Sequence, residues 1–290
     1  MKQFKDKVAV ITGAASGIGK AIAQRCVKEE MKVVLADINE EDLHKTESEL
    51  KANGGNVLSV KIDVSKRDDM ENLAQRTLET FGEVHLLVNN AGVGAGRSPW
   101  DSTWSDWEWS INVNLWGVIN GVKIFTPIML DQNTDGHIVN TASFAGLAVG
   151  SSPAPYSVTK HAVVALSESL YLSLEQRRAL VKVSVLCPGF VKTNIMNSIR
   201  NRPVELQNDP VEIPPHLQAH LDFMNASVDT GMPPHQVADH VFNAIRDEKF
   251  YIQTHPEWLP AIKLRVDNLL SGENPQNPGE TIMKILQPVA

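Results

Sequence analysis

Tyr156 and Lys160 stand four residues apart at the start of a stretch with helical periodicity, so their side chains leave one helix face a turn apart. A phenol titrates near pH ~10, and an ammonium beside it favours the phenolate, which brings proton exchange with a substrate oxygen toward neutral pH. Thirteen residues earlier, Ser143 closes an apolar run, where a hydroxyl can donate to a carbonyl oxygen and hold it beside the phenol. Each feature has a plainer reading: Tyr-x-x-x-Lys as an exposed helical pair, and Ser143 as an ordinary turn residue after a strand.

A second group of residues suits a phosphate. Thr12-Gly13-Ala14-Ala15-Ser16-Gly17-Ile18-Gly19 separates the apolar run Val8-Ala9-Val10-Ile11 from an amphipathic stretch at 22–27, which reads as the turn from a buried strand into a helix. Residues without Cβ let backbone N–H groups approach a phosphate, and the helix adds its positive end, so a nucleotide pyrophosphate is expected there. Eighteen residues after Gly19, the run Val33-Val34-Leu35-Ala36 ends in Asp37, where a dinucleotide-binding βαβ unit places the acid for a ribose 2′-OH. Asp37 would repel a 2′-phosphate, and no Lys or Arg stands among Ala14, Ala15, Ser16, Ile38 or Asn39, so NAD is expected over NADP.

The elements that must position these groups alternate strand and helix. Helical patterns cover 40–53, 66–81, 104–130, 156–178 and 235–246, and the third of these should bend or end near Pro127. Strands are expected at 57–63 ending in Asp63, at 84–88 running into Asn89-Asn90-Ala91-Gly92, at 136–143, at 181–187 before Pro188-Gly189, and at 250–253. This is the pattern of an α/β, Rossmann-type doubly wound parallel sheet of about seven strands with helices on both faces. A single domain over 1–290 is expected, with a substrate-loop or lid insertion at 194–234 and an extension at 257–290. Pro203, Pro210, Pro214, Pro215, Pro233 and Pro234 punctuate the insertion.

Composition narrows the function. With 27 basic and 34 acidic residues in 290, the net charge of −7 offers no field for nucleic acid or an anionic membrane, so a small-molecule substrate is expected. The nine histidines are dispersed, so no metal site is expected, and the two cysteines, Cys26 and Cys187, read as small buried hydrophobes. The first strand begins near residue 7, leaving no room for a signal peptide, and no run approaches the ~20 apolar residues of a membrane span. A reducing cytoplasm is the expected location.

Taken together, Thr12-Gly-x-x-x-Gly-x-Gly19, Asn89-Asn90-Ala91-Gly92, Asn114 within Asn112-Val113-Asn114-Leu115-x-Gly117, Ser143, Tyr156-x-x-x-Lys160 and Pro188-Gly189 resemble the classical short-chain dehydrogenases/reductases. The resemblance spans roughly residues 6–195 and the helix–strand pair at 235–253. It implies NAD-dependent interconversion of a secondary alcohol and a ketone. In that scheme Tyr156 is the general acid or base, Lys160 tunes it and holds the nicotinamide ribose, Ser143 orients the substrate oxygen, and Asn114 anchors a water in a proton relay. Thr193 would contact the carboxamide, its alternative being a helix N-cap, and Pro188, Gly189 and Val191 would lie beside the nicotinamide. Asp63 and Val64 would form the adenine pocket, while Thr12 and Asn90 brace the sheet edge with Ala91 and Gly92. A non-catalytic dinucleotide sensor is the rival reading, and retention of all four proton-handling residues argues against it.

The resemblance also implies a homodimer or homotetramer, with Trp109, Trp116, Ala162, Val163, Leu166 and Leu170 on the candidate faces. The insertion carries Ile195, Met196, Ile199, Leu217, Leu221, Phe223 and Met224. With Phe144, Leu147 and either Trp100 or Trp104, these should line a pocket for bulky apolar substrates.

Overall fold

The computed structural model describes residues 1–150, 153–209 and 215–286. The expected positions 210–214, with Pro210 and Pro214, lie outside them, as does the side chain of Leu217. Seven parallel strands pair in the order β3-β2-β1-β4-β5-β6-β7: β1 (Val8–Thr12), β2 (Lys32–Asp37), β3 (Asn56–Lys61), β4 (Leu86–Asn89), β5 (Gly136–Thr141), β6 (Val181–Cys187) and β7 (Tyr251–Gln253).

The central strands are apolar throughout because both of their faces are covered. Ala9, Ile11, Val33 and Leu35 point into one core with α1 (Gly17–Lys28), α2 (Glu40–Ala52) and α8 (Pro234–Asp247). Their alternating neighbours Val8, Val10, Val34 and Ala36 point into the other, with α3 (Arg67–Phe81), α5 (Gly117–Asp131) and α6 (Ala154–Gln176). The chain builds β1, β2 and β3 outward and then returns to place β4 on the other side of β1. The sheet order therefore reverses between β1 and β4, and their carboxyl ends open a crevice.

Three sequence expectations shift. The strands β3 and β5 stop at Lys61 and Thr141, so Asp63 and Ser143 lie on loops just past them rather than at strand ends. The long helix does not yield at Pro127, which sits inside α5. It is interrupted earlier, where α4 (Trp104–Ile111) passes into a wide π-turn at Asn112–Trp116. Finally, Trp104–Asp131 taken whole is long and apolar enough to cross a membrane, contrary to the expectation that no run approaches that length. Here it packs against β4, α3 and α6, with Phe125 and Met129 fully in the core, so its apolar face is used within the fold.

After β6 the chain leaves the sheet and returns at a parallel bridge between Val191 and Met232, enclosing short helical turns at Ile195–Asn201 and Val204–Leu206 and the helix α7 (Pro215–Asp229). Beyond β7, a turn at Pro256–Trp258 leads to α9 (Leu259–Ser271) and α10 (Pro278–Leu286).

Candidate active site

The crevice at the sheet reversal is part of one cavity of about 1700 Å³, which reaches from Asp37 at one end to α7 at the other. That is larger than a typical pocket for one small ligand, ~300–1,000 Å³, and suits two ligands end to end. At the glycine turn, Gly13 has φ 65°, and a Cβ there would lie 2.8 Å from the Ala91 Cα, so the close approach of the turn to the β4 edge requires glycine. Thr12 Oγ1 accepts from the backbone N–H of Asn90 (2.9 Å) and Ala91 (3.1 Å), and Asn90 Nδ2 donates to the Thr12 carbonyl (3.0 Å), the bracing expected of these residues. Gly13, Ser16, Gly17, Ile18, Asn90, Ala91 and Gly92 all line the cavity. Gly19 does not: it is buried, and a Cβ there would run into the Gly13 carbonyl, so this residue seats α1 beneath the turn.

Asp37 accepts from Ala15 N (3.0 Å) and Asn39 N (2.9 Å), which aims its carboxylate at the cavity end. Burial pushes its carboxyl above the usual carboxylate range, against the downward pull of the N–H groups of Asn39, Ala15 and Ile38 and of the Arg200 charge. Sequence adjacency gave no hint of Arg200, which the excursion after β6 brings near Asp37. Its guanidinium donates to the carbonyls of Asn194 and Asn197. Asp63 and Val64 line the same end, and Asp63 Oδ1 accepts from Ser65 N at 3.0 Å.

Ser143, Tyr156 and Lys160 all line the cavity, as do Pro188, Gly189, Val191 and Thr193. Ser143 Oγ caps the turn at Phe144–Gly146 by accepting from Ala145 N (3.1 Å), the plainer of its sequence readings, and its hydroxyl also favours ionisation of the Tyr156 phenol. Thr193 Oγ1 accepts from Ile195 N at 3.4 Å, but the N-cap of the turn at Ile195–Asn201 is Asn194 rather than Thr193. Lys160 is only 3% exposed. Its Nζ donates to the Thr141 carbonyl (2.9 Å) and lies 5.5 Å from the centre of the Tyr156 ring.

This geometry corrects the electrostatic expectation. Nζ sits beside the ring and is tied to a backbone carbonyl, so burial dominates: it pushes the Tyr156 phenol up, against the opposite pull of the Ser143 hydroxyl, and the Lys160 ammonium down to about 8.

Holding Lys160 there costs stability. Its folded pKa of about 8 lies below the ordinary lysine value of 10.5, so between those values the unfolded chain binds more protons and stability rises with pH. Lys160→Met is therefore expected to stabilise the fold at about pH 7 by roughly 1–3 kcal/mol, net of the lost bond to Thr141, with the advantage shrinking toward pH ~10. Thermal unfolding at the two pH values checks this, and a Met variant less stable than wild type at pH ~7 would contradict it.

Asn114 is fully buried and does not line the cavity. Its side chain closes a two-point clasp on Val93, Oδ1 accepting from Val93 N (2.8 Å) and Nδ2 donating to Val93 O (2.9 Å). A Cβ on Gly92 would lie 3.3 Å from Asn114 Oδ1 and 3.4 Å from Lys160 Nζ, so the clasp sits directly behind the lysine. The amide group thus fixes the loop after β4.

At the far end the wall is apolar. Phe144, Ile195, Met196, Ile199, Leu221, Phe223 and Met224 line it as the sequence suggested. Leu147 instead packs into the core beneath, and Trp100 and Trp104 are 82% and 90% exposed, away from the lining. Two tryptophans were missed as pocket residues. Trp109, expected at an interface, is buried and faces the cavity. Trp258, from beyond the last strand, packs edge-on against Phe144 (5.0 Å) and Phe190 (5.4 Å). Periodicity marks both as apolar but cannot show which cavity they reach.

The sheet reversal and its crevice define a Rossmann-type α/β protein. The chain matches the short chain dehydrogenase family over residues 7–203 and belongs to that family of oxidoreductases. Among solved structures it resembles a short chain dehydrogenase/reductase from Burkholderia phymatum in complex with NAD, with a TM-score of 0.93 and 44% identity over 96% of this chain and 99% of that one. It is 36% identical to a CLA biosynthesis dehydrogenase/reductase of Lactiplantibacillus plantarum over 95% of this chain and 97% of that protein. It is 37% identical to 3beta-hydroxysteroid dehydrogenase 2 of Eggerthella lenta over 65% of this chain and 72% of that protein.

Proposed function

We propose that this protein interconverts a bulky apolar secondary alcohol and its ketone with NAD. The observation that carries the reading is the opening of Ser143, Tyr156 and Lys160 into the same cavity as the glycine turn and Asp37. The glycine turn, with Gly13, Ser16, Gly17 and Ile18 lining the cavity at the start of α1, fits a pyrophosphate, and the carboxylate of Asp37 fits an unmodified ribose. The Burkholderia relative's complex with NAD supports the same choice. NAD bound there supplies the hydride acceptor for the carbinol carbon.

The chain's own residues handle the oxygen. Ser143 donates a hydrogen bond to the substrate oxygen, and Tyr156 as phenolate takes the hydroxyl proton as the carbonyl forms; in reduction the phenol returns it. Lys160, positioned by the Thr141 carbonyl, places a positive charge beside the phenolate as it develops. Asn114 acts through the Val93 clasp, keeping the loop after β4 and Lys160 in register, beside the water-anchoring role that the family resemblance implies. The apolar wall, and the likeness to a hydroxysteroid dehydrogenase, support a bulky substrate. Following NADH formation over a panel of secondary alcohols tests this, and faster turnover of small polar alcohols than of polycyclic or long-chain ones would contradict the substrate class.

A homo-oligomer belongs to the same reading, through a face that keeps Trp116 of the expected residues and adds Val158 and Leu172. Trp109 and Val163 are core, and Leu166 and Leu170 pack against it, whereas Trp116, Val158 and Leu172 remain 50%, 52% and 67% exposed. Light scattering is expected to show a dimer or tetramer, and Trp116→Glu with Leu172→Glu to weaken it; a wild-type monomer would reject the assembly. The buried free thiols Cys26 and Cys187 are compatible with a reducing cytoplasm.

A further inference from the structure

The segment 195–206 forms one wall of the cavity, yet it has almost no apolar underside. Only Ser198 and Arg202 are buried in it, at 4% and 6% exposure, while Met196, Ile199 and Val204 are 38%, 58% and 81% exposed. The wall is therefore held by polar bonds. Ser198 Oγ accepts from Gly94 N at 3.1 Å. The larger attachment is Arg202, whose NH1 donates to Asp106 Oδ1 (2.7 Å) while its Nε donates to the Leu206 carbonyl (2.6 Å). Its guanidinium also lies 5.0 Å from the centre of the Trp109 ring. Asn208 closes the network, donating to Asp106 Oδ1 (2.9 Å) and accepting from Thr103 Oγ1 (2.8 Å) and Arg202 NH2 (3.3 Å).

Asp106 belongs to the first turn of α4, where it also completes a capping box with Thr103. That helix presents Trp109 to the cavity and continues into the π-turn that holds Asn114. We propose that Asp106 and Arg202 are a positioning pair, a latch that fixes 195–208 against α4 and so sets the width of the substrate half of the cavity. A buried ion pair contributes little net stability against an apolar pair of the same size, but removing one partner strands a buried charge. The planar guanidinium, bonded on two edges and stacked on an indole, also fixes direction in a way a lysine would not. What the pair supplies is the place and orientation of the wall. The effect on substrate rests on the function proposed above, whereas the attachment itself does not.

The test is amide hydrogen exchange on the full chain, with NAD binding and kinetics measured on the same variants. Arg202→Met is expected to speed exchange across 195–208 by about tenfold or more while the central strands keep wild-type protection. NAD affinity should stay within about twofold, and KM for the best alcohol should rise about tenfold with kcat within about threefold. Arg202→Met combined with Asp106→Leu, which replaces the pair by apolar groups, should exchange more slowly in this segment than Arg202→Met alone. Unchanged exchange in 195–208, acceleration spread over the whole chain, or a double variant no better than the single would each overturn the latch. Exchange and NAD binding need no turnover, so a failure to find any oxidised alcohol would count against the proposed function and leave the latch to be decided by exchange.

Discussion

A Tyr156→Phe variant is expected to bind NAD with wild-type affinity and to lose turnover by about 10²–10⁴-fold or more, because the substitution removes the transferable proton and little else. The ring stays, and Lys160 keeps its bond to the Thr141 carbonyl, so neither the fold nor the dinucleotide end of the cavity should change. The phenol oxygen is the only heavy atom lost, so the variant leaves Ser143 able to orient a substrate that no group can then deprotonate. Titration of NAD by tryptophan fluorescence and steady-state kinetics separate the two effects. Near-normal turnover in a folded variant would show that another group carries the proton.

The second large effect concerns the cofactor. Wild-type kcat/KM is expected to favour NAD over NADP by about 100-fold or more, since a 2′-phosphate would meet the Asp37 carboxylate at close range in a partly desolvated site. Asp37 cannot swing aside without releasing the N–H groups of Ala15 and Asn39. Arg200 works in the opposite direction, because its charge already reaches Asp37. Asp37→Ser should therefore narrow the ratio by at least about tenfold, with Arg200 left free to attract the phosphate, and Asp37→Ser with Arg200→Gln should narrow it less. A wild-type preference for NADP would overturn the assignment.

The sequence made the first βαβ unit readable because every signal there is local: an unbroken apolar strand, a glycine turn, a helix and a terminal acid within 30 residues. The Tyr156 and Lys160 pair was readable for the same reason, since one helix carries both. Their titration was not, because the position of Nζ depends on the Thr141 carbonyl of another strand. The break after Ile111 was misplaced because Pro127 is a visible signal, whereas the Asn114 clasp that accompanies the π-turn joins residues 21 apart. Asp106 and Arg202 are 96 residues apart and carry no mutual pattern, so each reads alone as a surface charge. Gly19 shows the converse limit: its place in the motif was correct, but whether a glycine serves the ligand or the packing behind it depends on three-dimensional contact.

The most direct measurement of the central claim follows the transferred hydrogen. A bulky secondary alcohol carrying deuterium on its carbinol carbon is incubated with the protein and NAD, and the cofactor is recovered for mass spectrometry. The hydride mechanism predicts NADH bearing the label, formed together with the ketone and suppressed in Tyr156→Phe. Ketone formed with unlabelled NADH, or no reduced cofactor from any alcohol of the panel while NAD is demonstrably bound, would contradict it.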